Sequence, residues 1–387
     1  MSEWKKVKLG EISQTIQTGP FGSQLHQSDY SVIGIPVVMP KDIIAGNIEE
    51  ASIARVEQHH IDRLSRHMIS YGDILYARRG DVGKCAFTKQ NQEGWLCGTG
   101  CLRVTINPDM ANPKFVFFQL QKQETIGWIT NHAIGSTMLN LNTTILSNAP
   151  VEIPSLRIQN RIVEILSRYD SLIENYQKQI KLLEEAAQRL YKEWFIDLRF
   201  PGHENTKIVD GLPEGWTPSQ LGQLVEFKRG KTITKKDVID GDIPVVAGGL
   251  EPAYYCNKSN TAERVITISG SGANAGFTRM YFEKVWASDC SFVDASVTPF
   301  LHFVYCFLKN NKTTIDNLQK GAAQPHVYAK DINSLSICIP IESVLKSFEE
   351  KVSNYFDTTA SLQSQLRLLT EARDRLLPKL TNGEMEI

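Results

Sequence analysis

Three features are scarce in this chain of 387 residues: net charge, long apolar runs and regularly spaced cysteines. The net charge is −1, and 14 basic residues balance 14 acidic ones both in 1–154 and in 204–340, so no strong long-range attraction to nucleic acid is expected from either segment. No apolar run approaches the roughly 18 residues that a membrane span needs. Seven cysteines without a repeated spacing favour a reducing compartment. With the polar opening residues, these absences predict a cytoplasmic protein.

The sequence also lacks a motif that would perform chemistry unaided. Asn112–Phe115 lacks the second proline of the turn that an adenine methyltransferase needs, and Gly80–Cys85 is too short for a phosphate-binding loop. Cys97 and Cys101 have no second pair at the spacing of a zinc site. We therefore predict a chain with no catalytic residue, no metal and no cofactor of its own.

What the chain does contain is an internal repeat. Ile153-Pro154 recurs as Ile339-Pro340, and other matches share that separation of 186 residues (339 − 153), so that Gly135–Leu190 aligns without a gap with Gly321–Leu376. Upstream the same order recurs with looser spacing, as in Ile35–Val38 and Ile243–Val246. A duplicated unit with one fixed half and one drifting half predicts a common scaffold that carries two specialised readers.

A long helix is predicted in each copy, because apolar residues recur in steps of three and four from Ile158 to Trp194 and again from Val344 to Leu380. Pro154 predicts where the first helix begins, and Pro378 is expected to end or kink the second near its last turn. The residues that we expect at a helix–helix interface are Ile162, Ile165, Leu172, Ile180, Leu183, Leu190, Phe348, Leu362, Leu366, Leu369 and Leu376.

Helices with matching apolar seams are expected to pack on each other. An antiparallel pair would separate two globular units and relate them by a pseudo-two-fold axis. The alternative is that each helix packs only on its own globular unit. Short β-branched and aromatic runs between turn residues predict that these units are mixed α+β, each with a curved sheet and one helix, at Lys114–Gln121 and Leu301–Leu308. The predicted domains are 1–154, 155–203, 204–340 and 341–387, with the second and fourth being the helices.

Three sequence segments, taken in their order along the chain, carry a resemblance to a known family that covers essentially the whole sequence. They are Gly72–Lys84, Gly211–Leu224 and Leu376–Glu384. In this order, duplicated around two seam-bearing helices, the chain resembles the specificity (S) subunit of type I restriction-modification systems. The Pro-x-x-Glu-Gln opening that often precedes the family's helices is absent here after Pro154 and Pro340.

The resemblance implies a non-catalytic subunit that reads double-stranded DNA. Each globular unit would be a target recognition domain for one half of a split site. The helices would set the spacer and dock two methyltransferase (M) subunits, which would carry the S-adenosylmethionine chemistry. Motor-nuclease (R) subunits added to this assembly would cut unmodified DNA.

Candidate DNA contacts lie in glycine-rich turns and basic runs. Arg78, Arg79 and Lys84 surround a turn that follows a strand, although the arginines could instead pair with Asp73 or Asp81. The second copy carries a basic run and replaces the arginine turn with serines. Its candidates are Lys228, Arg229, Lys231, Lys235, Lys236, Ser269 and Ser271.

The loops before the closing strand of each copy, 135–140 and 321–326, supply two further candidates. Asn140 and Gln324 have amide side chains that can bond adenine, although a purely structural turn is equally consistent.

Two other functions stay open at this point. A self-sufficient DNA methylase or nuclease with an unrecognised site would methylate or cut DNA by itself. A coiled-coil scaffold for protein interactions would leave no split footprint on DNA.

Overall fold

A computed structural model describes residues 4–135, 138–321 and 324–385. The chain divides into two compact units. Unit 1 consists of Met1–Ile173 and Leu368–Ile387, and unit 2 consists of Glu174–Arg367. Each boundary falls inside a long helix, so each unit contains part of both helices. The loop residues Ser136, Thr137, Ala322 and Ala323, which belong to the predicted paired loops, lie outside the described residues.

Unit 1 is built on two four-stranded sheets and a two-stranded ladder. The main sheet, in spatial order, consists of Ser13–Thr18, Cys101–Ile106, Ile74–Ala77 and Cys85–Phe87, all antiparallel. The side sheet consists of Leu96–Cys97, Ile35–Val38, Ala54–Val56 and Tyr30–Ser31. The ladder pairs Lys5–Lys8 with Pro150–Ile153, the strand that leads directly into the first long helix.

Unit 2 repeats the main sheet and the ladder strand for strand, and its side sheet has three strands where that of unit 1 has four. Its main sheet consists of Lys228–Arg229, Cys290–Asp294, Val265–Ser269 and Thr278–Tyr281. Its side sheet consists of Tyr254–Cys256, Ile243–Val246 and Trp286–Ala287. Its ladder pairs Thr217–Gln220 with Ser336–Ile339. The repeat predicted from the sequence is therefore a repeat of the fold.

The prediction of one helix in each globular unit is wrong. The two predicted helices are present, at Pro113–Leu120 and Leu301–Asn310. Further helices accompany them at Gln58–Arg63, Gln123–His132, Thr143–Ser147, Leu221–Leu224, Lys312–Asp316 and Ala329–Asn333. Those of four or five residues were missed because so short a stretch carries too little apolar periodicity to be read.

The first long helix spans Leu156–Tyr191, 36 residues, and continues into a π-helical turn at Lys192–Ile196. The second spans Glu342–Thr381, 40 residues, and has Pro378 inside its last turn. It ends three residues after that proline (381 − 378), close to where the proline was expected to end it.

In unit 1 the start of the first long helix and the end of the second share one core. Ile162 and Leu166 are buried in the same cluster as Leu380. Arg373 Nη1 lies 3.4 Å from Asp170 Oδ1. Residue 170 late in one segment faces residue 373 early in the other, and the helix segments therefore run antiparallel.

In unit 2 the opposite ends of the two helices pair through aromatic rings. Phe348 is fully buried, and its ring centroid lies 6.2 Å from that of Tyr191 and 5.7 Å from that of Trp194. Since each unit joins segments of both helices, the alternative of a helix packed only on its own globular unit is wrong.

The predicted seam is largely turned inward. Ile162, Phe348 and Leu362 are buried, and those that are half-buried are Ile165, Ile180, Leu183, Leu190, Leu366, Leu369 and Leu376. Leu172 is a correction, because it is 42% exposed whereas its neighbour Ile173 is 8% exposed. Leu172, Tyr176 and Ile180 are spaced four and four apart, which departs from the alternation of three and four, and the buried stripe is shifted by one residue here.

The fold class is confirmed: two mixed α+β units with long antiparallel helix segments. The pseudo-two-fold relation between the units and the four-part division of the chain stay predictions. Among the described residues, no helix is long and apolar enough to cross a membrane.

Candidate nucleic-acid interface

In unit 1 three segments meet at one end of the main sheet. Because the strands are antiparallel, the end of Ser13–Thr18, the end of Ile74–Ala77 and the start of Cys101–Ile106 lie at the same end of the sheet. The Gly19 amide donates to the Cys101 carbonyl at 2.9 Å, and the Arg78 amide donates to the Gly100 carbonyl at 2.7 Å. We call this end of the sheet, with the loops that leave it, the reading end of the unit.

The loop that carries Asn140 joins the same reading end. Arg79 and Asn140 form an isolated antiparallel bridge. The Leu141 amide donates to the Arg78 carbonyl at 2.8 Å, and the Gly80 amide donates to the Leu139 carbonyl at 3.1 Å. Two candidate groups that lie about 60 residues apart in the sequence are therefore neighbours in the structure.

The arginines of this end do not pair with the acids that the sequence offered as partners. Asp81 accepts an ion pair from Lys84 at 3.1 Å instead, and Asp73 is taken by Arg103 and by the Thr105 hydroxyl at 2.6 Å. Arg79 is exposed, and within residues 4–135, 138–321 and 324–385 it has no ion pair. A guanidinium that is free of acids can bond a phosphate or a guanine edge.

Arg78 and Asn140 have polar atoms that the fold encloses without satisfying. Arg78 Nε and Asn140 Oδ1 are both buried, and neither has a hydrogen-bond partner among the described residues. Leaving such groups unpaired costs roughly 1–3 kcal/mol each. The remaining donors of the Arg78 fork and of the Asn140 amide fit contacts to a ligand that arrives at this end.

Unit 2 builds its reading end with the same backbone bonds. The Gly230 amide donates to the Cys290 carbonyl at 2.8 Å, and the Gly270 amide donates to the Asp289 carbonyl at 3.1 Å. A side chain at Gly230 would clash, since a Cβ there would lie 2.3 Å from the Ser288 carbonyl oxygen. The matching glycine of unit 1 is Gly19.

Equivalent bonds show which residues replace the arginines. The Val327 amide donates to the Gly270 carbonyl at 3.1 Å, as Leu141 does to Arg78. Ser271 and His326 form the bridge that Arg79 and Asn140 form in unit 1. In unit 2, Gly270, Ser271 and His326 therefore hold the positions of Arg78, Arg79 and Asn140.

Sequence reasoning missed His326 and named Gln324 in its place. The constant register was the signal that could have found it, because His326 follows Asn140 by 186 residues (326 − 140). Gln324 is exposed and lies two residues away (326 − 324) in the same loop. Gln324 thus lies near the reading end of unit 2, but His326 is the residue that corresponds to Asn140.

The basic run of unit 2 is presented to solvent at this end. Its five exposed cations are Lys228, Arg229, Lys231, Lys235 and Lys236. Arg229 Nη2 lies 3.7 Å from Asp289 Oδ1, an acid from outside the run. The four lysines have no ion pair among the described residues. Such a cluster can neutralise phosphates although the whole unit is not basic.

The prediction that Ser269 contacts DNA is wrong, and Ser271 has a hydrogen-bond partner within the protein. Ser269 is 3% exposed, and its hydroxyl donates to the Gly248 carbonyl at 3.1 Å, so it cannot reach a ligand. The Ser271 hydroxyl donates to Asp289 Oδ2. A cleft beside these residues is lined by Arg229, Gly270, Asp289, Cys290, Ser291, His326, Val327, Tyr328 and Ala329.

The thiols at the two reading ends are not activated for chemistry. Burial raises the pKa of Cys290 to about 12 and the pKa of Cys101 well above its usual range. Both thiols are therefore neutral and poor nucleophiles near pH 7. In the part of the chain that the structure describes, no group of three or more His, Cys, Asp or Glu residues is placed to hold a metal ion.

Comparisons with known proteins identify the family of the chain. A family model described as the type I restriction modification DNA specificity domain matches residues 1–185 and again 213–369. The type I restriction enzyme MjaIX specificity subunit of Methanocaldococcus jannaschii is 26% identical over 414 residues, which cover 100% of this chain and 94% of that protein. The HindI specificity subunit of Haemophilus influenzae is 21% identical over 473 residues, with 100% of both chains covered.

A solved structure supports the fold. The crystal structure of a type I restriction-modification S subunit from M. genitalium matches with a TM-score of 0.63 at 18% identity, over 98% of this chain and 96% of that one. The chain belongs to the type I restriction-modification DNA specificity family. It serves as a specificity subunit, which recognises DNA and leaves catalysis to other subunits of the system. The two alternatives, a self-sufficient methylase or nuclease and a coiled-coil scaffold, find no support.

Proposed function

We propose that the chain reads a bipartite DNA target, with the reading end of each unit contacting one half-site. The observation that carries this proposal is the repetition of one reading end on identical backbone bonds with different side chains. Unit 1 offers Arg78, Arg79 and Asn140, and unit 2 offers Arg229 and His326 at the corresponding end. A shared frame with different polar side chains suits two readers of different sequences.

The two long helices are the proposed spacer and docking element. They would hold the reading ends at a fixed separation and bind two methyltransferase subunits, to which motor-nuclease subunits could be added. The S-adenosylmethionine would be bound by the methyltransferase partner. With a net charge of −1, this chain would depend on partner subunits for much of the long-range attraction to DNA. Seven free cysteines favour the cytoplasm as its location.

Changing the length of the helices tests the division of labour. Seven residues, two helical turns, would be inserted in the Tyr169–Leu190 stretch and seven in the matching stretch 355–376, so that the apolar stripe stays in phase. The complex with its methyltransferase partner would then modify DNA, and the methylated adenines would be mapped by sequencing. We expect a changed spacer with both half-site sequences unchanged.

An altered half-site sequence would contradict the proposal. An insertion in one helix alone serves as the control, since it breaks the antiparallel register and should reduce assembly of the complex instead of shifting the spacer.

A further inference from the structure

The two reading ends carry a key arginine on different strands. In unit 1, Arg78 follows the strand Ile74–Ala77, and its counterpart in unit 2 is Gly270, which has no side chain. In unit 2, Arg229 pairs with Ser291, and the matching position of unit 1 is Thr18, which pairs with Leu102. The arginine has therefore changed strands, from one side of the central strand of the sheet to the other.

An acid at the start of the central strand accompanies Arg229. Asp289 Oδ1 lies 3.7 Å from Arg229 Nη2, while Oδ2 accepts the Ser271 hydroxyl. The matching residue of unit 1 is Gly100, which offers only its backbone. Arg229 is 69% exposed and Asp289 is 35% exposed, so the guanidinium is tethered on one side and open to solvent on the other.

The Arg229 guanidinium lies beside a cleft that Gly270 also lines. Arg229, Asp289 and His326 all line it. The His326 ring is stacked on the Tyr328 ring, with centroids 6.0 Å apart and planes at 15°. The Arg229 guanidinium, which lies beside this polar cleft at the end of the sheet, can donate two hydrogen bonds to the edge of a base. The neighbouring lysines each offer a single charged group.

We propose that Arg229, positioned by Asp289, reads a guanine in the half-site of unit 2 and there replaces the role that Arg78 has in unit 1. This inference rests on the proposed function. Arginine bonds guanine N7 and O6 with two parallel donors, and lysine cannot reproduce that geometry. Asp289 favours one orientation of the fork through its ion pair and is a positioning residue. Lys228, Lys231, Lys235 and Lys236 contact phosphates.

The test uses the full complex with its methyltransferase partner and a library of DNA duplexes in which both half-sites are randomised. For Arg229→Lys we expect a loss of discrimination on the order of 10- to 100-fold at one G·C pair, confined to one half-site. Asp289→Asn should relax the same position while binding to non-specific DNA stays equal or becomes tighter, because a negative charge has been removed. A merely structural defect would weaken all binding.

Lys228→Ala is the control for the loss of a positive charge alone, since it removes a cation from the adjacent residue, whose side chain leaves the opposite face of the strand. It should weaken binding to all sequences and leave the consensus unchanged. The half-site of unit 1 reports in the same experiment that each variant complex is folded. If Arg229→Lys keeps the parental consensus, the inference is overturned and the proposed function stands. If the parental complex selects no split consensus, both fall.

Discussion

Unit 1 and unit 2 share a topology but differ in how they seat the long helices and in what they present at the reading end. Unit 1 holds the helices with aliphatic side chains such as Ile162 and Leu380, whereas unit 2 surrounds Phe348 with aromatic rings. Unit 1 presents the Arg78 turn, and unit 2 presents a basic run on another strand. The difference teaches that the repeat preserves backbone pairing, while side chains on the frame are free to be exchanged.

The largest effect is expected from Phe348→Ala in the aromatic seat of unit 2. Phe348 is 0% exposed and its ring meets those of Tyr191, Trp194, Phe195 and Phe303. Removing the ring leaves a cavity, so the free energy of unfolding of this unit should fall by about 3–5 kcal/mol. Urea denaturation measures the change. Leu182→Ala, at a side chain of the same unit that is 53% exposed, should change it by less than about 0.5 kcal/mol. Equal effects would refute the aromatic seat.

Next in size is the double substitution Arg78→Ala and Arg79→Ala. Since both residues belong to the reading end of unit 1, only the half-site read by that unit should weaken, by about 1–3 kcal/mol of discrimination for each arginine that contacts a base. Maps of methylated adenines made with the partner present would measure this. Unchanged maps would count against the role, and the two single variants would separate the half-buried Arg78 from the exposed Arg79.

A smaller effect is expected from the lysines that distinguish unit 2. Lys235→Ala and Lys236→Ala each remove one exposed cation, so the slope of log binding constant against log salt should become less negative by about 0.9 for each phosphate that the protein no longer neutralises. Titrations of the complex with duplex DNA at several salt concentrations measure that slope. Lys312→Ala, at a lysine already paired with Asp316, should leave it unchanged. An identical slope in all variants would remove the electrostatic contrast between the units.

The smallest effect should come from Leu172→Ala. Because this side chain is 42% exposed, its truncation should alter the free energy of unfolding by less than about 0.5 kcal/mol. Ile173→Ala, one residue further, should cost about 2 kcal/mol or more. Thermal or urea denaturation compares the pair. If Leu172→Ala destabilised the protein more than Ile173→Ala, the buried seam would have the register that the sequence predicts.

Much of the fold could be predicted because its signals are periodic or repeated. The long helices follow from apolar steps of three and four, and the strand Ile243–Val246 has the bounds that its β-branched run predicts. The short helix Thr143–Ser147 was missed because its five residues carry too little apolar periodicity to be read. The pairing of Arg229 with Asp289 could not be read at all, since it joins distant segments that only the sheet brings together.

The sequence by itself determined the repeat, the two seam-bearing helices and the family, because these depend on spacing along the chain. Tertiary structure alone decided that Arg79 pairs with Asn140, that Ser269 is buried, and that Ser271 rather than an arginine pairs with His326 in unit 2. The physical reason is that antiparallel pairing gathers strand ends that are far apart in the chain. Which side chains share a reading end is therefore set by strand order and register, and local composition does not encode either.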